Sequence, residues 1–316
     1  MNINYRKAAA LLVEKDNILI ISHRRPDGDT IGCAAALCLG LRNIGKTAYI
    51  LPNPDVSSLF LPYLEGKLAH PDFIPEYVVA VDIAGKELYT QNSVTYIDRL
   101  DLCIDHHASN EGLGKDICLD ITCASCGELL FDILKEMGPV TPEIALPLYV
   151  AVSTDTGCFV YNNTTARSHL VAAALMELGI DYKWANKRHF RTKSFKRLKL
   201  ESMITDQMER FDGGTVVIAT VTLDMMRALS ATEEDVEDIA AFVGQIEGAQ
   251  TAVTLREIKP LECKISVRTL GGVNANSVCS LLGGGGHEGA GGCTVFDTVP
   301  AAKAAILDAI RTVKNR

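Results

Sequence analysis

The chain lacks any uncharged apolar run of about 18 residues, the length a membrane-spanning helix needs. A secretory signal is also missing. Met1–Asp16 sets Arg6, Lys7, Glu14 and Lys15 around a short apolar patch with no cleavage pattern, and reads as an ordinary first helix. Nor is there a surplus of positive charge: 31 Lys and Arg against 39 Asp and Glu give a net charge of −8, the wrong sign for gripping long nucleic acid through many phosphates. No G-x-S-x-G nucleophile elbow and no Gly-Lys-Ser/Thr phosphate loop occur. These absences exclude a membrane protein, a binder of long duplex nucleic acid, an elbow-type serine hydrolase and a Walker-type nucleotidase. A cytoplasmic protein acting on small anions remains compatible.

Ten cysteines are present, but 316 residues dilute them too far for a disulfide scaffold. Cys33, Cys38, Cys103, Cys158 and Cys279 sit in apolar stretches, where a reduced thiol behaves as a small hydrophobe. Cys123-Ala124-Ser125-Cys126 has the C-x-x-C spacing, yet no second pair or nearby histidine completes a zinc site, so it reads as the start of a helix.

The hydrophobic content of 47% can build substantial cores, and the length suggests two domains. Residues 1–185 alternate strand-like and helix-like runs, the pattern of a mainly parallel sheet flanked by helices in an α/β fold. Strands are expected at Ile18–Ser22, Thr47–Leu51, Tyr77–Val81, Leu102–Ile104 and Ile117–Asp120. Helices are expected at Thr30–Asn43, Cys126–Met137, Pro142–Ser153 and Thr165–Leu178. Residues 186–211, rich in Lys and Arg and free of Pro, read as a helical linker, more simply a solvated helix than a basic wall facing a cleft. Residues 212–316 form a smaller α/β unit with strands at Thr215–Leu223, Ala249–Glu257, Glu262–Thr269 and Cys293–Phe296. Its helices are expected at Leu223–Leu229, Asp235–Gln245, Asn276–Leu282 and Pro300–Val313.

Polar chemistry gathers where apolar runs end. His23-Arg24-Arg25-Pro26-Asp27-Gly28-Asp29 follows Ile18–Ile21, Asp82 follows Tyr77–Val81, Asp105-His106-His107 follows Leu102–Ile104, and Asp155 follows Leu146–Ser153. Any one of these has a bland explanation as a turn or a helix cap. Four such insertions, near the strand ends where α/β sheets bind ligands, point instead to one metal centre. Carboxylates and imidazoles suit Mn²⁺ or Mg²⁺, and the supply exceeds the needs of one ion. Two ions about 3.5–4 Å apart can hold a hydroxide for in-line attack on phosphorus, so no protein nucleophile is required.

In the second unit, Gly283–Gly292 with His287 inside it formally holds a G-x-G-x-x-G, but a strand follows where a dinucleotide fold needs a helix. An anion nest formed by Gly284, Gly285 and Gly286, with His287 as an added donor, is favoured over a merely flexible loop. Arg268 interrupts a strand pattern and is either solvent-facing or a phosphate clamp. Phe159 and Tyr161 could stack a base, although core packing is the commoner role.

The segments His23-x-x-Pro26-Asp27-Gly28-Asp29-x-x-Gly32, Val81-Asp82, Asp105-His106-His107-x-x-Asn110, Asp155-Thr156-Gly157-x-Phe159, Ser266-Val267-Arg268 and Gly283–His287 resemble the DHH phosphoesterase superfamily with a C-terminal DHHA1 domain. Within it they look most like the nanoRNase-type family of short-oligoribonucleotide nucleases and pAp phosphatases. The resemblance implies a DHH catalytic domain over 1–185, a DHHA1 substrate-binding domain over 212–316, and an active site in the interdomain cleft. His23, Asp27 and Asp82 would hold one Mn²⁺; Asp29, Asp82, His106 and Asp155 would hold the other, with Mg²⁺ as the alternative ion. Asp105 would orient a ligand, and His107 would sit near the scissile phosphate. Arg268, His287, the glycine loop and Asn110 would contact substrate. Short RNA, pAp or linear or cyclic dinucleotides are the substrates implied; the rival from another class is a nucleotide-sensing protein without turnover, and a homodimer is left open. Arg24, Arg25, Cys33 and Gly291 depart from the residues common at those positions without removing a ligand.

Overall fold

The structure is a computed structural model describing residues 1–236, 239–271 and 273–315. The chain divides into two compact units, Met1–Thr192 and Lys193–Arg316.

In the first unit the chain runs through α1 (Tyr5–Glu14), β1 (Ile18–Ile21), α2 (Gly28–Asn43), β2 (Ala48–Ile50), α3 (Leu61–Leu64), β3 (Tyr77–Val81), β4 (Leu102–Asp105) and β5 (Asp116–Leu119). It continues through α4 (Cys126–Met137), α5 (Pro142–Asp155), α6 (Ala166–Glu177) and α7 (Tyr182–Phe190). The strands form one parallel sheet in the order β2-β1-β3-β4-β5. β1 and β3 are apolar and buried along their whole length, as a sheet covered on both faces requires. Ile18, Ile20, Val79 and Val81 face the main core with α2, α4 and α5, whereas Ile21, Val78 and Ala80 face a smaller cluster around Tyr89 and Leu100. The expected strands and helices of this unit all form; α1 covers only Tyr5–Glu14 of the Met1–Asp16 segment, and the ends of the others are displaced by at most two residues.

The basic stretch is two helices rather than one. α7 ends at Phe190, and α8 (Phe195–Asp206) belongs to the second unit, where Leu200 and Ile204 join its core. Its charges are largely engaged: Lys193 and Arg197 both pair with buried Glu201, while in the first unit Arg188 donates to the carbonyls of Ser58 and Leu59.

After α8 come β6 (Glu209–Phe211), β7 (Val216–Val221), α9 (Leu223–Leu229), α10 (Ile239–Val243), β8 (Thr251–Lys259), β9 (Glu262–Thr269), α11 (Ala275–Ser280), β10 (Gly285–Gly286), β11 (Ala290–Val295) and α12 (Val299–Lys314). The sheet order is β10-β11-β9-β8-β7-β6, antiparallel except between β7 and β8. Alternation along β7 feeds two cores: Val216 and Ile218 meet α11 and α12, and Val217, Ala219 and Val221 meet α8, α9 and α10. The helix expected over Asp235–Gln245 is a 3₁₀ turn at Glu233–Val236 followed by α10; residues 237 and 238 of that expectation lie outside the described residues.

One packing contact positions everything that follows. α2 lies so close to α5 that a Cβ on Gly28 would fall 2.2 Å from Thr154 Oγ1, and one on Gly32 would fall 2.4 Å from the Pro147 carbonyl oxygen. The two glycines after the first carboxylates therefore let the start of α2 meet the end of α5, bringing Asp29 and Asp155 together. Alanine is the better helix former by about 1 kcal/mol, but overpacking against an immovable backbone oxygen costs about 1–3 kcal/mol or more. Gly32→Ala is therefore expected to lower the urea midpoint of the metal-free protein; an unchanged or raised midpoint would contradict the close approach.

Candidate metal centre

Three strand ends and two helix ends deliver the side chains. His23 follows β1, Asp82 follows β3, His106 follows β4, Asp27 and Asp29 open α2, and Asp155 closes α5. Asp82 stands at φ +60°, a left-handed conformation that a side chain disfavours, and its amide is tied to the Ile104 carbonyl. That turn aims its carboxylate back across the ends of the neighbouring strands. Three groups of potential ligands result: His23-Asp27-Asp82 and Asp29-His106-Asp155, which correspond to the two expected ions, and Asp82-His106-His107, which overlaps both; in each the donor atoms lie within 4.8 Å of one another. Asp82 also touches the second group: His106 Nε2 lies 3.5 Å from Asp82 Oδ1, 3.7 Å from Asp29 Oδ2 and 3.7 Å from Asp155 Oδ2. His23 Nε2 lies 3.5 Å from Asp27 Oδ1 and 3.6 Å from Asp82 Oδ2. All six residues expected as ligands are thus brought together.

The donor chemistry fits cations. His106 Nδ1 is occupied by the Cys123 carbonyl at 3.2 Å and His23 Nδ1 by the Arg24 carbonyl at 2.9 Å, which turns each Nε2 toward the carboxylates. Asp82 Oδ1 and His106 Nε2 are buried and without a hydrogen-bond partner among the described residues. Buried polar atoms are rarely left so. Two ligands on one ion, each about 2.1 Å away, would stand roughly 3–3.6 Å apart, close to the separations seen.

Asp29 is the most enclosed of the four expected ligand carboxylates. Its oxygens accept the amides of Cys126 and Gly127 at 2.7 and 2.9 Å, from the first turn of α4, and Cys33 Sγ at 3.3 Å. Cys33, one of the residues that depart from the family pattern, thus supplies a donor to this carboxylate. Burial, then the charges of Asp82 and Asp155, push Asp29 well above the usual carboxylate range. Burial and Asp82 push Asp155 to about 8, and burial raises Asp82. Burial works against a charge on His23, but Asp27 and Asp82 outweigh it and raise the ring to about 11. In the metal-free chain, protons take the place of the missing positive charge.

Asp105 is fully buried with both oxygens engaged: Oδ1 accepts the His106 amide and His107 Nδ1, each at 2.8 Å, and Oδ2 accepts Asn110 Nδ2 at 2.6 Å. Burial favours its neutral form, but these donors prevail and keep it ionised below the usual range. Its hydrogen bond in turn raises His107 to about 9. Asp105 therefore orients His107 and the His106 backbone, while the His106 ring takes its orientation from Cys123. Asn110, expected on substrate, spends its side chain on Asp105, on the Ile83 carbonyl at 3.4 Å and on the Gly112 amide at 2.8 Å. Phe159 packs on the core and stacks on His169 with centroids 4.9 Å apart, and the Tyr161 ring covers Gly157. Arg24 and Arg25 are exposed beside His23, and Arg25 takes φ +53° with its amide on Asp55.

In the second unit, the glycine segment is a hairpin edge rather than an open nest. Gly284 donates its amide to the Cys279 carbonyl and His287 donates its own to Ala290, so neither amide is free to bind an anion. Close packing accounts for the glycines: a Cβ on Gly284 would sit 2.2 Å from the Gly292 oxygen, and one on Gly291 would sit 2.7 Å from the Ala275 oxygen. Arg268 is paired across the sheet with Ala290, and the His287 amide donates to the Ala290 carbonyl, which brings Arg268 and His287 to the same end of the sheet.

Residues 17–152 match the family model described as the DHH family, N-terminal domain, and residues 213–315 match the DHHA1 domain. Among curated proteins, the chain is 31% identical to the bifunctional oligoribonuclease and PAP phosphatase NrnA of Thermus thermophilus, over 98% of this chain and 94% of that protein. It is 23% identical to the protein of the same description from Bacillus subtilis, over 89% and 90% of the two chains. A solved exopolyphosphatase-related protein from Bacteroides fragilis superposes with a TM-score of 0.88 at 23% identity, over 98% of this chain and 96% of that one. The chain belongs to the DHH family of hydrolases, in the group that carries a DHHA1 domain.

The proton-holding cluster has a consequence for stability. A group whose pKa is raised on folding binds more protons in the native than in the unfolded state between its two values, so stability falls as pH rises through that interval. Asp155, up to about 8, and the rings of His107 and His23, up to about 9 and 11, all act in this sense above pH 6.5. His189, lowered by burial to about 4, acts oppositely but only below pH 6.5. The chelated protein is therefore expected to melt at lower temperature at pH 8.5 than at pH 6.5, and excess Mn²⁺ to reverse the order. A chelated protein more stable at pH 8.5 would contradict the proton-loaded cluster.

Proposed function

We propose that this chain is a cytoplasmic, Mn²⁺-dependent phosphoesterase that hydrolyses short oligoribonucleotides to mononucleotides and removes the 3′-phosphate of pAp. The observation that carries the reading is Asp82: one strained, buried carboxylate facing both ligand groups, with an oxygen left without a partner. The substrate class is supported by the likeness to the Thermus thermophilus relative over nearly the whole chain.

In this reading His23, Asp27 and Asp82 hold one ion, and Asp29, Asp82, His106 and Asp155 hold the other. When bound, the ions supply Lewis-acid stabilisation of the phosphoryl oxygens and a water acidified enough to attack at neutral pH. The protein does the rest. Asp82 fixes the spacing of the two groups. Asp105 accepts from His107 Nδ1, so the opposite ring atom, Nε2, is the one available to donate a proton to a phosphoryl or leaving oxygen. Asn110 acts by holding Asp105 rather than by touching substrate. Arg268 and the His287 side chain are assigned to the substrate's terminal phosphate, where a guanidinium offers bidentate donation. A net charge of −8 favours small substrates over long duplexes.

A second reading has one observation in its favour. The chain is 25% identical, over 95% of its length, to the cyclic-di-AMP phosphodiesterase PdeA of Listeria monocytogenes, of which it spans 48%. Linear or cyclic dinucleotides would then be the preferred substrates. Rates on a five-mer RNA, pAp, pApA and cyclic di-AMP, each with Mn²⁺, with Mg²⁺ and with chelator, separate the two. The five-mer and pAp are expected to turn over in Mn²⁺ and to stop on chelation, and Asp82→Ala to abolish turnover of both in a folded protein. Exclusive hydrolysis of cyclic di-AMP would favour the second reading, and undiminished activity of Asp82→Ala would overturn both.

A further inference from the structure

The segment Cys123-Ala124-Ser125-Cys126 forms the turn ahead of α4, and its backbone touches two of the assigned ligands at once. The Cys123 carbonyl holds His106 Nδ1 at 3.2 Å, and the amides of Cys126 and Gly127 hold the two oxygens of Asp29 at 2.7 and 2.9 Å. The Cys126 thiol is engaged elsewhere, on the Ile104 carbonyl at 3.4 Å. A small displacement of this turn would therefore move a histidine and a carboxylate together.

The turn is itself gripped at Ala124. The Ala124 amide donates to Glu128 Oε2 at 3.3 Å, and the Ala124 carbonyl accepts from Asn163 Nδ2 at 3.0 Å. Glu128 is fully buried, with Arg167 Nε 3.3 Å from the same oxygen. Asn163 Nδ2 also donates to the backbone carbonyl of Asp155 at 3.1 Å and stands 3.5 Å from its Oδ2. One side-chain amide thus joins the turn that sets Asp29 and His106 to the residue that supplies the third member of the same group. The other group is held differently: Thr30 Oγ1 accepts the His23 amide, Asn53 donates to the His23 carbonyl, and Asp27 is fixed by the first amides of α2.

We propose that Asn163 is a positioning residue for one ion of the pair, making Asp29, His106 and Asp155 converge on a single point while leaving the His23-Asp27-Asp82 group untouched. The proposal rests on the two-ion reading above. Asn163 is exposed, so Asn163→Ala removes the two donations without opening a core cavity. Loss of a partner that orients metal ligands typically costs about 10- to 100-fold in metal affinity.

The test is a Mn²⁺ titration by calorimetry on full-length wild type and Asn163→Ala, with thermal melting of both after chelation. Wild type is expected to take two ions per chain. The variant is expected to take one with unchanged affinity and the second about 10- to 100-fold more weakly, with the chelated melting temperatures alike. Turnover of the variant should recover as Mn²⁺ is raised, which loss of a merely structural contact would not produce. Two unchanged affinities would overturn the proposal, as would joint weakening of both sites with a lowered chelated melting temperature. Wild type taking fewer than two ions would instead overturn the two-ion reading on which it stands.

Discussion

Four carboxylates, those of Asp27, Asp29, Asp82 and Asp155, converge beside three imidazoles, those of His23, His106 and His107. Such a cluster cannot remain ionised in a partly buried pocket without cations; it must collect protons or metal. The raised pKa values of Asp29, Asp82 and Asp155 express that constraint in the metal-free chain. Two divalent cations carry the positive charge that matches four carboxylates. Much of the first unit serves this convergence: parallel strands ending side by side, a left-handed turn at Asp82, and the close approach of α2 and α5 over Gly28 and Gly32.

Around the ligands, orientation comes from hydrogen bonds to the ring nitrogens. Nδ1 of His23 and of His106, on the side away from the carboxylates, is held by a backbone carbonyl, and Nδ1 of His107 by Asp105, with Asp82 Oδ1 3.5 Å away. The buried Asp105 is in turn fixed by Asn110. Each tie selects a tautomer and a ring direction, so that the reactive face is set before an ion or substrate arrives. The second unit offers Arg268 and His287 at one end of its own sheet, on a hairpin whose glycines are dictated by packing.

Much of this was legible in the sequence because each expected ligand follows an apolar run whose secondary structure is unambiguous. Ile18–Ile21 and Tyr77–Val81 are too apolar and too β-branched to be anything but buried strands, so His23 and Asp82 had to stand at their ends. What stayed hidden is carried by backbone atoms and by residues far apart in the chain. The amides of Cys126 and Gly127 and the Cys123 carbonyl have no side-chain signature, because any residue supplies a backbone donor or acceptor, and the Asn163 side chain acts on backbone carbonyls that no spacing in the sequence reveals. The same limit explains the glycine hairpin: a glycine needed for backbone approach and a glycine needed for tight packing look identical until the neighbours at Cys279, Ala290 and Gly292 are known. Asn110 belongs to the same class, since its spacing from the histidines does not reveal that it faces Asp105 rather than solvent.

The most direct measurement is anomalous diffraction at the manganese edge from crystals grown with Mn²⁺. Two peaks about 3.5–4 Å apart are expected, one against His23, Asp27 and Asp82 and the other against Asp29, His106 and Asp155, with the Asp82 carboxylate between them. A single peak, or manganese bound away from Asp82, would contradict the shared-carboxylate centre on which the chemistry depends.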